Sequence, residues 1–508
     1  MKKIFFLIPV FLFTSLNLFA QVTQEWVRTQ PFASGKLIAY DTSGYVAVSG
    51  WFFLMDSPPF TSVVKYNTSG VQAWANNCTG YTCGLSMDHT GNTYVASYTY
   101  PMWGALKQNN LIKYNQSGVQ QWRINDTLFT EPDALISMKG DAAGNSYVLM
   151  YRNNKLETIK YNTSGTKLWV STFSAAGSTD NNPSTLVIEK SGNIYVVGRS
   201  IVSNNSYFNL IKYNSSGVQQ WVSVFPLPAP INAHSVNIAL DSIGNIFMVA
   251  AIRDTGDISN VTTVKYNSSG TQQWVRYNSL GNSSPDPVLI AVDKSGGVIF
   301  SQQFKGIYKY SSSGVQQWLI NTNVNSLTVD KNSSIYITKD LNYNSYEVHK
   351  YNSSGVQQWQ ISYLHYEAMY LRTGGIILDT SYNIYVTGGY SYYNPPSTSY
   401  AALTIKYSQL VGIKNISKNV PEKFELSQNY PNPFNPSTTI NVSIPNESEV
   451  TLKIYDISGR ETASLIDGTL KAGNYKYNFN ASSLSSGIYF YKLSANGFSD
   501  TKKMILVK

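Results

Sequence analysis

Apolar and polar residues alternate along most of this chain in short runs separated by turn residues. The stretch LIKYNSSGVQQWVSV at residues 210–224 carries the pattern in full. Two β-prone arms flank a polar centre. Asn214 is placed to open a type I turn, and Gly217 to take the left-handed position that closes it. The stretch therefore predicts a β-hairpin. Its ten central residues, Lys212 to Trp221, return unchanged at 350–359, and near-copies begin at Lys65, Lys113, Lys160, Lys265 and Lys309.

A second turn recurs between the copies. It opens at Asp41, Asp88, Asp141, Glu189, Asp241, Asp293, Asp330 and Asp379, usually with glycine three places later. Apolar runs flank it, as in TLVIEKSGNIYVVG, so it predicts a second hairpin. The last two copies carry Ser333 and Tyr382 in place of the glycine, and their turns are expected to close differently.

Each unit then holds four strands. From Lys65 to Lys406 the chain runs 341 residues in seven steps, about 49 residues each. Four short strands at this period predict an all-β propeller blade. A solenoid has shorter repeats, and a unit this small hardly builds a core alone. The last Lys-Tyr strand, ending at Tyr407, lacks a following tryptophan strand, while Trp26 lacks a preceding Lys-Tyr strand. The N-terminal strand is expected to complete that last blade and close the ring, removing the broken edge. The reading is eight blades, or seven if one weak unit lies outside the ring.

The eight strand tryptophans, Trp26, Trp74, Trp122, Trp169, Trp221, Trp274, Trp318 and Trp359, suit packing between blades. The tyrosine of each Lys-Tyr pair is expected to bury its ring and leave its hydroxyl near solvent. A feature present in every blade reads as scaffold, because one ligand meets one patch. Its alternative is many weak sites acting together.

After Tyr407 the texture changes. Residues 412–424 read as a linker. Pro431, Pro433 and Pro436 exclude helix, and short apolar strands follow to the end. Residues 425–508 predict a small Ig-like β-sandwich.

Composition sharpens this picture. Charged residues are 13% of the 508, with 38 Tyr and 10 Trp, a balance that favours strands and turns. Residues 1–20, MKKIFFLIPVFLFTSLNLFA, read as a secretory signal peptide cut after Ala20, leaving 21–411 as the propeller. No later segment is long and apolar enough to span a bilayer. Loss of Lys2 and Lys3 takes the net charge from +9 to +7. Eight lysines sit one per repeat, spread around the molecule, and there is no basic run, so no nucleic-acid partner is expected. Outside the cytoplasm, Cys78 and Cys83 are expected to form a local disulfide. A monomer is expected.

Catalysis needs converging groups. His89, His234, His349 and His365 fall in different units, and no metal or nucleophile motif appears. The acidic residues are accounted for as turn caps. No catalytic residue, no cofactor and no metal ligand is assigned; calcium at one acidic turn is the ion the pattern would admit. Binding is expected where the repeat is broken. SYTYPMWGALKQNN carries Tyr98, Tyr100 and Trp103; GGYSYYNPPSTSY carries Tyr390, Tyr392, Tyr393 and Tyr400; SYLHYEAMY carries Tyr363, Tyr366 and Tyr370. Exposed rings of this kind stack on sugars or fill protein interfaces. The expected function is non-catalytic binding of an extracellular glycan or surface protein. A polysaccharide lyase or glycosidase, and a passive surface spacer, are the alternatives.

Two resemblances extend this reading. The unit D-x-S-G-N-x-Y-V-x-G…K-Y-N-x-S-G-x-Q-W resembles SBBP-type propeller repeats of exported bacterial proteins, over residues 22 to 411. It is less similar to the docking repeats of quinoprotein dehydrogenases, whose quinone and calcium site has no counterpart here. LSQNYPNPFNPSTTI, LKIYDISGR, LSSGIYFYKL and KMILVK resemble a type A C-terminal sorting domain of the type IX secretion system, over 425–508. That resemblance implies export across the outer membrane by the type IX machinery, and release or attachment at the cell surface.

Overall fold

The computed structural model describes residues 22–31, 34–52, 59–99, 108–127, 134–227, 232–253, 259–281, 289–302, 306–394, 397–409, 414–417, 421–470, 472–481 and 484–507. The proposed signal peptide lies outside them. The described elements are all strands, arranged in ten four-stranded sheets. The chain divides into two compact units, Thr23–Ser408 and Gln409–Lys508.

The first unit holds eight antiparallel sheets in chain order, a β-propeller-like arrangement. Their first and fourth strands are Ser34–Tyr40 and Gln72–Thr79 in sheet 1, Tyr81–Met87 and Gln120–Thr127 in sheet 2, and Ala134–Gly140 and Lys167–Phe173 in sheet 3. Sheet 4 runs from Ser178–Ile188 to Gln219–Pro226, sheet 5 from Asn232–Leu240 to Gln272–Gly281, and sheet 6 from Leu289–Val292 to Gln316–Ile320. Sheet 7 runs from Ser326–Val329 to Gln357–Leu364. Sheet 8 begins at Tyr370–Leu378, and its fourth strand is the N-terminal Val22–Pro31 beside Ser397–Gln409. First strands of successive sheets touch, and that of sheet 8 returns to that of sheet 1. There Gly35, Gly374 and Gly388 let backbones meet so closely that an added Cβ would strike the facing main chain.

The repeated decapeptide is explained by what each tryptophan touches. In all the strand tryptophans but Trp359 the indole N–H donates to a turn carbonyl of the following sheet, as in Trp74 to Gln116 at 3.0 Å, Trp169 to Ser215 at 3.1 Å and Trp318 to Ser353 at 3.2 Å. Trp26 of sheet 8 makes the same bond to Thr68 of sheet 1, at 3.2 Å. The indole also lies over the turn glycine. A Cβ on Gly217, at φ +80°, would come within 2.6 Å of Trp169. Within its own sheet each tryptophan ends a cross-strand row: Tyr94, Lys113 and Trp122 in sheet 2, or Tyr195, Lys212 and Trp221 in sheet 4. The lysine amine sits over the tyrosine ring, 5.4 Å from the Tyr94 centroid and 5.2 Å from that of Tyr195, a cation–π contact.

The acidic turns are closed by their own carboxylates. Asp88 Oδ1 accepts the N–H groups of Thr90 and Asn92, and Oδ2 accepts the Tyr94 hydroxyl at 3.0 Å. Where the row has an aliphatic residue in place of the ring, at Ala47 and Ile299, the lysine turns to the acid instead. Lys65 lies 3.5 Å from Asp41 and Lys309 lies 2.7 Å from Asp293, each pair buried. Burial opposes ionisation of Asp293, but Lys309, Ser295 and the Gly297 amide together outweigh it and hold the carboxyl below its ordinary value.

Several expectations are corrected. Ser333 and Tyr382 do not close their turns differently: both adopt the left-handed conformation, at φ 66° and 62°, and keep the turn hydrogen bonds to Asp330 and Asp379. The aspartate clamps, with Asn332, Ser334, Ser381 and Asn383 N–H groups donating to them, hold a backbone that glycine would adopt without strain. Not every Lys-Tyr hydroxyl stays near solvent. These tyrosines are buried, those of 213 and 266 have no hydrogen-bond partner among the described residues, and burial pushes Tyr66 up to about 12. Of the tryptophans, only Trp26, Trp74 and Trp359 are fully buried; the others keep an edge in solvent. Cys78 and Cys83 are free thiols, not a disulfide. Cys78 packs with Val63, Val95 and Ile112, while Cys83, at a bulge, packs towards Leu135 and Met138.

The second unit is an Ig-like sandwich. One sheet holds Ser437–Ile444 and Gly473–Asn480; the other holds Ser448–Asp456, Glu461–Leu470, Gly487–Ala495 and Phe498–Leu506. Ile440, Val442, Leu452, Ile454, Tyr491 and Leu493 alternate inward to form its core. Lys414–Ser417, within the expected linker, is instead an edge strand paired with Gly473–Asn480. Residues 412–413 and 418–420 of that linker lie outside the described residues.

Trp359→Ala, which empties a fully buried site, is expected to cost about 3–5 kcal/mol in denaturant unfolding. Gly217→Ala is expected to cost at least about 1–2 kcal/mol, from left-handed strain and the clash with Trp169. Asp293→Asn breaks a buried ion pair and is expected to cost about 3 kcal/mol at neutral pH. Because its folded pKa is depressed, Asp293 stabilises fully above its unfolded value near about 3.9. That contribution is lost as pH falls through the folded value, so the variant's acid unfolding limb should be shallower.

Candidate functional site

In antiparallel sheets of this order, both repeated turn families emerge at one end. Second-to-third connections and links between sheets emerge at the other. The repeated end is uniform: Asn turns, acidic turns and one exposed valine after most Asn-turn glycines. The other end differs from sheet to sheet, and at sheets 7 and 8 it is aromatic.

Three segments meet there. The backbone N–H of His365 donates to the Asn344 carbonyl at 2.9 Å, and that of Met369 to Ser391 at 2.8 Å. These bonds join the second-to-third connection of sheet 7, the 365–369 link and the second strand of sheet 8, Ile384–Asn394. Tyr366 is 88% exposed, Tyr343 74% and Tyr393 64%. Leu341, Leu364, Met369, Tyr370 and Tyr400 are also exposed. Tyr343 and Tyr370 rings lie 6.1 Å apart. The Arg372 guanidinium stacks 4.9 Å from the Tyr370 centroid, and its Nε donates to the Tyr370 hydroxyl.

Beneath these rings lies a packed layer. His365 sits 4.0 Å from the Tyr390 ring centroid, and Tyr390 lies 5.7 Å from Tyr392. Tyr363 links His365 to Tyr346, whose hydroxyl lies 3.2 Å from that of Tyr407. Burial drives the Tyr346 phenol well above its ordinary value, with the Tyr407 contact adding to it. Burial lowers the imidazole of His365 against an opposing field from Glu367, and His365 Nδ1 is buried with no hydrogen-bond partner. Burial raises Asp340, although the Thr373 N–H and hydroxyl and the Asn325 amide donate to it.

The sequence candidates divide accordingly. Tyr393 is exposed and belongs to the shelf. Tyr392 is half-buried beneath it. Tyr390 is 9% exposed, a correction to its reading as a loop ring: alternation turns it inward against His365. Tyr98 stands apart, half-buried against Tyr81, which also meets Trp51 of sheet 1. Tyr100 and Trp103 lie outside the described residues. His349 is buried in sheet 7 and bonds Glu347 at 2.8 Å. Among the described residues no group of three or more His, Cys, Asp and Glu converges to hold an ion. Sequence reasoning missed Tyr343 and Arg372. Tyr343 occupies a connection that varies between sheets; Arg372 is a charge on a first strand, where half of the sheets carry none.

Residues 428–508 match the family described as the secretion system C-terminal sorting domain. The tail is a sorting domain. It marks the chain for export by the type IX secretion system, to the cell surface or the medium. Among the described residues no helix is long and apolar enough to cross a membrane. No curated protein matches the chain. Its backbone is similar to that of a protein of unknown function from Bacteroides caccae, at 11% identity and TM-score 0.33, over 66% of this chain and 94% of that one. It is similar to a protein of unknown function from Dyadobacter fermentans, at 10% identity and TM-score 0.39, over 76% and 98%. It is also similar to the β-propeller domain of the Trilobed protease from Pyrococcus furiosus, described as having an open velcro topology. That likeness is at 10% identity and TM-score 0.36, over 60% and 88%.

Exposed shelf rings carry little folding energy. Tyr343→Ala and Tyr366→Ala should each change stability by less than about 0.5 kcal/mol. Tyr346→Phe, which strands a buried Tyr407 hydroxyl, should cost about 1–3 kcal/mol in the same unfolding measurement.

Proposed function

We propose that the exported protein is a non-catalytic binding scaffold: an eight-bladed, SBBP-type propeller closed by its N-terminal strand, presenting an aromatic shelf to an extracellular glycan. Supporting the ring are the tryptophan bond from sheet 8 to Thr68 and the Lys406 amine donating to the same carbonyl at 3.1 Å. The binding reading rests on the exposed rings of Tyr343, Tyr366, Tyr370 and Tyr393, gathered at the end where the repeat is broken. Flat rings open to water suit stacking on sugar faces. No cofactor is needed for that role. In this reading the signal peptide directs the chain to the periplasm, and the sorting domain then engages the type IX machinery at the outer membrane.

One observation favours a second reading, an enzyme that cleaves an extracellular polysaccharide. His365, with Nδ1 unbonded and its imidazole held towards the neutral form, lies beside Tyr363 and Tyr390. A neutral imidazole beside a phenol is a usable acid–base pair.

The test is a glycan-array and pull-down assay on the full chain, with the size of every bound polymer followed. The expected result is binding weakened at least about tenfold by the double change Tyr366→Ala and Tyr393→Ala, with polymer length unchanged. Shortening of the polymer that stops in His365→Gln would replace binding by catalysis. No binding to any glycan would leave a protein partner or a passive spacer. Truncation after Ser427 is expected to abolish appearance at the surface or in the medium.

A further inference from the structure

The first strands of the eight sheets are nearly free of charge, and the exceptions are one-sided. Within their described residues the charged side chains are Lys36, Lys139, Arg372 and Asp180. Asp180 is neutralised by Arg199 at 3.3 Å. The three cations are exposed to solvent, and none forms a salt bridge within the described residues. Lys139 stands at the turn end of its strand, beside Asp141, whereas Lys36 and Arg372 stand at the end where the sheets are linked. Lys36 and Arg372 stand on adjoining strands, where Gly374 abuts the Lys36 backbone. Arg372 is also held in place: stacking on Tyr370 and the Nε bond fix its plane, leaving its two terminal amino groups unbonded among the described residues. The nearby carboxylates are otherwise engaged or offset. Asp340 feels the field of Arg372 but forms no salt bridge with it and is hydrogen-bonded by Thr373 and Asn325, and Glu367 acts on His365 and Tyr390.

From this geometry we infer that the shelf takes a carboxylated polysaccharide. A uronic acid chain would stack on Tyr343 beside the Arg372–Tyr370 pair, give one carboxylate to the Arg372 fork, and run a further charge past Lys36, which stands at the same end of its strand. A planar, pre-oriented guanidinium matches a carboxylate with two parallel hydrogen bonds. The rings supply the sugar contact, and the first-strand cations supply the preference for acid over neutral chains. This inference rests on the closed-ring binding reading, because the ring brings the first strands together around one axis.

The experiment is calorimetric titration of the full chain with polygalacturonate, its fully methyl-esterified form, and polyphosphate. Polygalacturonate is expected to bind at least about tenfold more tightly than the ester. Arg372→Gln should remove most of that difference and Lys36→Gln a smaller part, each with an unchanged unfolding midpoint. Affinity should fall with added salt, as screened ion pairing requires. Equal binding of acid and ester, or a difference that survives Arg372→Gln, would overturn the inference while leaving glycan binding intact. Polyphosphate binding as tight as polygalacturonate would overturn the carboxylate assignment. Failure of every glycan to bind, neutral polymers included, would overturn both readings.

Discussion

Every strand tryptophan except Trp359 packs on a glycine of the neighbouring sheet. The indole packs on the Asn turn of the following sheet, where a Cβ would collide with it, and the same residue must be left-handed to close that turn. Two independent demands thus fall on one position, and glycine alone meets both. The indole N–H then donates to a turn carbonyl, which in several sheets also accepts from the lysine amine of the same row. Repetition of ten residues follows from this contact: every sheet must offer both the tryptophan and the turn that receives its neighbour's. Where the turn is missing, at the end of Ser397–Gln409, Trp359 of sheet 7 is buried more deeply than the others and its N–H has no partner. The N-terminal strand stands there in place of a turn.

Around that contact the sheets vary, and the variation is compensated. Loss of the row tyrosine at Ala47 and Ile299 would leave a lysine over an aliphatic floor. Each lysine instead pairs with the aspartate that the tyrosine hydroxyl would have bonded. Loss of the turn glycine at Ser333 and Tyr382 is absorbed because the aspartate clamp still receives two backbone N–H groups. Tyr382 also holds Lys331 over its ring at 5.1 Å and accepts from Asn332 at 3.2 Å. The acidic residue is therefore the stronger determinant of the second turn, and glycine the easier residue to replace. The Asn turns allow no such exchange, since their glycine also receives an indole.

Both hairpins, the four-strand unit and the role of Trp26 were legible because each rests on local turn chemistry or on repetition. The sorting domain was legible from its motifs, down to the alternating strands. Burial of particular rings was not. In SYYN, strand alternation puts Tyr392 on the side of Tyr390 and turns Tyr393 to solvent, and nothing in the letters says which side is inward. The same limit applies to Cys78 and Cys83. Their spacing suits a small loop, yet a bulge at Cys83 sends the two thiols into different packed layers. Lys414–Ser417 reads as linker because its apolar content is low; it is a strand because Gly473–Asn480 has a free edge.

A molecule built this way separates its tasks by end. Substitution at the repeated end disturbs a contact between sheets, so that end is constrained to the same solution in every sheet. The other end carries no such contact, and its connections are free to differ in length and chemistry. Aromatic rings in those connections, where they are exposed, contribute almost nothing to folding and keep their faces in water, which is unfavourable unless something else covers them. Tyr343, Tyr366 and Tyr393 meet that description, whereas Tyr346, Tyr390 and Tyr407 serve the core beneath. The first strands connect the two ends, and their unpaired cations are as dispensable to the packing as the exposed rings. Residues that the fold does not need, gathered where the fold permits variation, are the ones free to serve the proposed binding.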